Sequence, residues 1–262
     1  MNRFVFPLSA LILLFATACE REEEDIIAGP TPTSIIIEGT ICTPDGQPFA
    51  DIPVSVDYEF SSIVAHVVKH KGKATTDRNG RYSVFFEVGE DKAPAGAVQQ
   101  RYWFSVDLSR VSPETYIRPE EKLDFFLRVE DREGETLRCD FAIPRKKYVK
   151  VNVENPGLSV PAGTFAVMNN VLYGAGWGVL DGGSSDEPCR VALFEPIGIP
   201  ADGVGSAMLP CGVGIPNVVT VVYKGNEEIQ YGNGVPAGDT REVNVTSASA
   251  PDLTLTYTGL DL

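Results

Sequence analysis

Between residues 34 and 143, apolar residues recur at every second position in short bursts, and each burst ends in turn-forming residues. A period of two puts alternate side chains on opposite faces of an extended strand, whereas a helix needs a period of 3.6. Strands are expected over residues 34–42, 52–58, 63–68, 84–88, 102–108, 123–129 and 137–143. Thr43-Pro44-Asp45-Gly46 and Thr76-Asp77-Arg78-Asn79-Gly80 supply turns, with glycine where the backbone needs φ > 0. No stretch sustains a helical period. Short strands separated by turn signals close only as a sandwich or barrel, so the chain is expected to be all-β.

Charge divides the chain. Residues 34–150 hold 17 Lys and Arg against 19 Asp and Glu, while residues 151–262 hold 3 against 12. Glycine also becomes frequent in the second part, at Gly174, Gly176, Gly178, Gly182 and Gly183. A sandwich over 34–150 followed by a second all-β domain over 151–262 is the expected organisation, with short strands at 165–172, 190–194, 218–223, 243–246 and 253–257. The net charge of −14 argues against nucleic acid as a partner, since phosphate contacts need Lys and Arg. The 43% hydrophobic content is enough for a real core.

The N-terminus carries an address. Arg3 precedes an apolar run over residues 4–15, followed by the small residues Ala16, Thr17 and Ala18 and then Cys19. The run is shorter than the ~20 residues that span a bilayer, so residues 1–18 read as a cleaved signal peptide. Small residues ending in Cys resemble the lipobox of bacterial lipoproteins, with Ala16 where that family prefers Leu. The resemblance implies diacylglycerol on the Cys19 sulfur, an acylated new amino group, and a membrane as partner. Glu20-Arg21-Glu22-Glu23-Glu24-Asp25 resembles the surface-export signal of Bacteroidetes lipoproteins; a plain solvated spacer is the alternative. Residues 19–33 are thus an acidic tether reaching at most ~50 Å, and the expected location is the outer membrane, facing the cell surface.

A further resemblance rests on Gly39-Thr40-Ile41, Pro44-Asp45-Gly46-Gln47-Pro48, Ile52-Pro53-Val54-Ser55-Val56 and Thr76-Asp77-Arg78-Asn79-Gly80-Arg81-Tyr82, in that order. Residues 34–150 are similar to the carboxypeptidase-regulatory-like family, a transthyretin-like (prealbumin-like) β-sandwich. The resemblance implies a stiff accessory module with no catalytic residues.

Beyond Cys19 there are four cysteines, Cys42, Cys139, Cys189 and Cys211, an even number compatible with two disulfides in an exported protein. Cys189–Cys211 would staple the glycine-rich middle of the second domain, and Cys42–Cys139 would join the first and last strands of the sandwich. None lies in a CxxC pair, which argues against zinc. His66 and His70 share a strand face ~13 Å apart, too far for one ion. Gly174-Ala175-Gly176-Trp177-Gly178 lacks the spacing of a nucleotide loop, and Asp181–Asp186 lacks the spaced ligands of a calcium loop. No cofactor is expected.

Alternation also leaves one large aromatic on the polar face of each of three strands: Phe85, Trp103 and Phe126. Should the strands share a sheet, the three form a patch for a ligand or for the second domain. The expected function is a non-catalytic, membrane-anchored surface module for adhesion to a glycan or partner protein. The alternatives are a structural or anchoring component of surface fimbriae, and a hydrolase whose carboxylate site is unrecognised.

Overall fold

The computed structural model describes residues 21–23, 29–62, 66–88, 97–118, 121–175, 180, 188–223 and 235–259. Its first strands are β1 (Arg21–Glu23), β2 (Ile35–Cys42), β3 (Pro53–Ser62), β4 (His66–Thr75) and β5 (Arg81–Phe86). They are followed by β6 (Ala97–Asp107), β7 (Lys122–Leu127), β8 (Thr136–Arg138) and β9 (Phe141–Ala142). The remainder are β10 (Lys146–Asn155), β11 (Phe165–Ala175), β12 (Pro188–Ile197), β13 (Gly203–Gly212), β14 (Pro216–Tyr223), β15 (Val235–Asn244) and β16 (Leu253–Thr256). The protein is all-β.

Two sandwiches follow from the pairing. In the first, the sheet β1-β4-β3-β6-β7 faces the sheet β5-β2-β8, which β9 extends by pairing with β2. Inward alternation supplies the core: Ile35, Ile37 and Ile41 from β2, Val54, Val56 and Tyr58 from β3, Tyr102, Phe104 and Val106 from β6, and Phe125 and Leu127 from β7. The second sandwich packs β13-β10-β16 on β12-β11-β14-β15 around Val149, Val151, Val153, Val219, Val221 and Tyr257.

The Thr76–Tyr82 element works as its residue types demand. The Asp77 carboxylate accepts the Asn79 and Arg81 amides at 2.8 and 2.9 Å, and Gly80 sits at φ 73°. A Cβ on Gly80 would stand 2.5 Å from the Ile41 carbonyl oxygen. Thr76 Oγ1 accepts the Ile52 amide and donates to the Phe49 carbonyl, tying the loop before β3 to the end of β4. The Arg81 and Asn79 amides hold the Asp77 carboxyl below its ordinary range. A depressed folded value means a contribution present above the ordinary range, near pH ~4, and lost as pH falls through the folded value. Asp77→Asn should flatten the acid limb of the stability–pH curve below about pH 4. An unchanged limb in urea titrations would contradict this.

Several strands differ from expectation: β1 forms within the expected tether, the strand expected over 137–143 is divided into β8 and β9, and three more differ for reasons their residues show. β4 continues past Val68 through Lys69-His70-Lys71-Gly72-Lys73, where apolar alternation stops. It lies at the outer side of β3, where lysines are favoured because they discourage pairing with foreign strands. β13, Gly-Val-Gly-Ser-Ala-Met-Leu-Pro-Cys-Gly, has weak strand propensity and is also an edge strand, the position that tolerates Pro210. β10 runs across residue 150 and belongs wholly to the second sandwich, so the sheets divide between Ala142 and Lys146.

The expected disulfides are not formed. Cys42, Cys139 and Cys211 carry thiols. β2 and β8 are parallel with Glu38 opposite Arg138, so Cys139 lies beside Gly39, three residues and ~10 Å along the strand from Cys42. A disulfide needs Cα atoms within ~7 Å. Cys211 lies fully buried in the second core, where burial pushes its thiol up to about 12. Nothing is described of the Cys189 side chain; Cys19, 181–186 and 176–178 lie outside the described residues.

Candidate functional site

The outward face of β4-β3-β6-β7 is polar by alternation. Register aligns His70, Asp57, Trp103 and Phe126 in one row across four strands, and Lys73, Ser55, Ser105 and Asp124 in the next. Trp103 is half-buried and its Nε1–H donates to Glu59 Oε2 at 2.7 Å. The Arg101 guanidinium sits 5.7 Å from the indole centroid, within cation–π range. Phe126 meets Trp103 edge-on at 6.2 Å and is 44% exposed. These Trp103 contacts all lie within the first sandwich.

Phe85 is not part of this face. β5 belongs to the opposite sheet, where Phe85 pairs with Ile36. The expectation of a three-residue patch fails on topology: alternation gives the face of a strand but not the sheet it joins. Trp103 and Phe126 are brought together, because β6 and β7 are neighbours in exact cross-strand register.

Carboxylates organise the rest of the face. Asp57, nearly buried, bonds His70 Nδ1 across the strand pair, and Glu59 Oε1 lies 2.6 Å from His66 Nε2. The buried Ser105 hydroxyl donates to Asp124, which also pairs with Lys122 at 2.9 Å. Beside this row a cavity of about 570 Å³ opens, lined by Ser55, Asp57, His70, Lys73, Asp107 and Lys122, among others. Its lining mixes both signs of charge. Ser105 is committed to Asp124 and not to His70, so the His70–Asp57 contact is a cross-strand hydrogen bond and not half of a nucleophilic triad. The two histidines each hold their own carboxylate, and no cluster of three metal-ligating side chains occurs among the described residues.

Sequence reasoning missed Asp57, Glu59 and His70 as members of this face. The signal was present: Pro53, Ser55, Asp57 and Glu59 alternate with the inward Val54, Val56 and Tyr58.

The sandwiches are joined closely. Only Ile143, Pro144 and Arg145 separate β9 from β10. Leu180, from the connection between β11 and β12, is fully buried in the first core, and its carbonyl accepts the Arg128 amide at 2.7 Å. Val171 of β11 joins that same core.

No protein-family model and no curated protein matches this sequence. Among solved structures the chain is similar to the shaft pilin SpaA from Lactobacillus rhamnosus GG, at 11% identity over 88% of this chain and 99% of that one, with TM-score 0.27. It is similar to the fimbrial anchor protein Mfa2 from Porphyromonas gingivalis, at 10% identity over 85% and 90%, with TM-score 0.25. It is also similar to the Bacillus anthracis TIE protein, at 13% identity over 87% of this chain and 34% of that one, with TM-score 0.25. Likenesses at TM-scores this low carry no argument, and the functional reading rests on the geometry.

Proposed function

We propose that this chain is a non-catalytic, lipid-anchored surface protein that serves as a structural component of a fimbria-like assembly. The observation that supports it is the interlocking of the two sandwiches: a three-residue connection, with Leu180 of one half buried in the core of the other. Domains that only display a ligand site can hang on flexible linkers. A subunit that transmits tension along an assembly needs its halves coupled. The first sandwich, which ends before β10, is read as carboxypeptidase-regulatory-like, in keeping with an accessory structural role. Immunogold electron microscopy of intact cells with gels of unboiled surface extract tests the reading. Label on filaments or at their bases, with detergent-resistant high-mass species, is expected; diffuse label with monomer alone overturns it.

Anchoring is assigned to Cys19 at the end of the apolar run. Cys19→Ala should leave the precursor unprocessed or release the protein from the membrane fraction. A variant that is processed and sediments like the native protein would rule out lipidation at this residue.

A second reading, adhesion, is favoured by the Trp103–Phe126 pair beside the charged cavity. Aromatic surfaces flanked by carboxylates suit sugar faces or partner proteins. Trp103→Ala should lower retention of the monomer on glycan or protein arrays by roughly ten-fold or more, the range of a hot-spot aromatic, with the denaturation midpoint followed as a control. Equal retention by variant and native protein rejects this face as the adhesive one.

A further inference from the structure

The acidic tether reads from sequence as a solvated spacer, yet it is held at two places. Near its start, β1 runs parallel to β4, with Arg21 opposite Val68, Glu22 opposite Lys69 and Glu23 opposite His70. Near its end, the Glu87 carboxylate accepts hydrogen bonds from Ser34 Oγ at 2.6 Å, from Thr33 Oγ1 at 3.0 Å and from Thr31 Oγ1. β4 is the outermost strand of its sheet apart from β1, so its outer backbone edge is a template for an added strand. The two segments also carry opposite charge. Residues 20–25 hold five carboxylates and one arginine, while β4 holds Lys69, Lys71 and Lys73 and no acidic residue.

We propose that the edge of β4 is a docking site for the chain's own acidic tether, and that this docking sets how far the first sandwich stands from the membrane. Main-chain pairing supplies the register, and the charge complement makes an acidic segment the preferred occupant over a neutral one. Cys19 lies two residues before β1, a reach of ~7 Å. With the tether docked, the β4 edge is therefore held close beside the lipid. With the tether released, the same residues allow a stand-off of up to ~50 Å. The tether is thus a strap with two lengths, and any acidic extended segment that competes for β4 lengthens it.

The stand-off rests on lipidation at Cys19, but the docking does not, and the experiment separates them. Amide hydrogen exchange is compared in three mature chains beginning at residue 19: native, Glu22→Pro/Glu23→Pro, and Lys69→Glu/Lys71→Glu/Lys73→Glu. The prolines remove tether N–H donors without touching the sandwich core. Exchange within Val68–His70 is expected to be at least about ten-fold faster in the proline variant than in the native chain, with exchange in β6 unchanged. The charge-reversed chain should show the same acceleration at Val68–His70, and so should the native chain in high salt. Equal exchange in the native and proline chains overturns docking, and acceleration in the proline chain without any response to charge reversal or salt overturns the electrostatic selection of the occupant. A Cys19→Ser chain resolves the dependence. Protection that persists there while the native protein fails to partition with membranes leaves docking standing and removes the anchor. Membrane-bound native protein with no protection does the reverse.

Discussion

Gly39→Ala is expected to cost roughly 4 kcal/mol or more, beyond the ordinary range for a single methyl, because the added carbon has nowhere to go. A Cβ at this position would stand 1.8 Å from the Cys139 carbonyl oxygen and 2.7 Å from its carbon, and both are backbone atoms that cannot rotate away. The carbonyl is fixed from the other side too, since it accepts the Tyr82 hydroxyl at 2.6 Å, and the Cys139 amide donates to Glu38 at 2.9 Å. Tyr82 is the cross-strand partner of Gly39, so its ring covers a strand position that has no side chain of its own. The added methyl must push the end of β8 off β2 and break the buried hydroxyl bond with it. Gly46→Ala is the control. Gly46 has positive φ, 83°, but open space around it, so only backbone strain of ~1 kcal/mol is expected. Urea denaturation followed by Trp fluorescence measures both. A Gly39→Ala chain as stable as Gly46→Ala would show that β8 does not cross β2 as described.

The same glycine shows what was legible beforehand. Strand type was readable wherever side chains alternate, as in β2, β3, β5, β6 and β7, because alternation records burial on one face. Trp103 beside Phe126 was readable for the same reason. What alternation does not record is partnership. Phe85 has the right face and sits in the other sheet, and Cys42 and Cys139 lie on neighbouring strands but out of step along them. Edge strands were the other loss. The lysines of β4 stand beside the short outermost strand β1, and the Gly and Pro of β13 stand where a sheet ends, so the residues that protect an edge also hide it from a search for apolar periodicity. The tether went unread because its pairing with β4 is carried by backbone groups, which every sequence possesses equally.

Asn217→Ala is expected to destabilise the second sandwich by about 3–5 kcal/mol, since one buried amide serves several backbone groups at once. Asn217 is fully buried on β14. Its Oδ1 accepts the Gly212 amide at 2.7 Å and the Asn169 side-chain amide at 3.0 Å. Its Nδ2 donates to the carbonyls of Gly212 at 2.9 Å and Ile215 at 3.0 Å. Alanine leaves each of these without that partner, and an unsatisfied buried group costs ~1–3 kcal/mol. The Gly212 and Ile215 groups belong to the end of β13 and the turn to β14, which passes from one sheet of the sandwich to the other and packs beside Pro144 at the junction of the two halves. The loss is therefore expected to spread: the turn loosens, and the contact that couples the sandwiches loosens with it. Asn217→Asp keeps the acceptors and removes the donors, burying a charge that no described cation offsets, so it should be at least as damaging as alanine. Calorimetry distinguishes local from coupled loss. One transition in the native protein and two in Asn217→Ala is the expected pattern, with the first sandwich melting near its native temperature. Two transitions already present in the native protein would mean that the halves unfold independently, and the tension-transmitting role would lose its support.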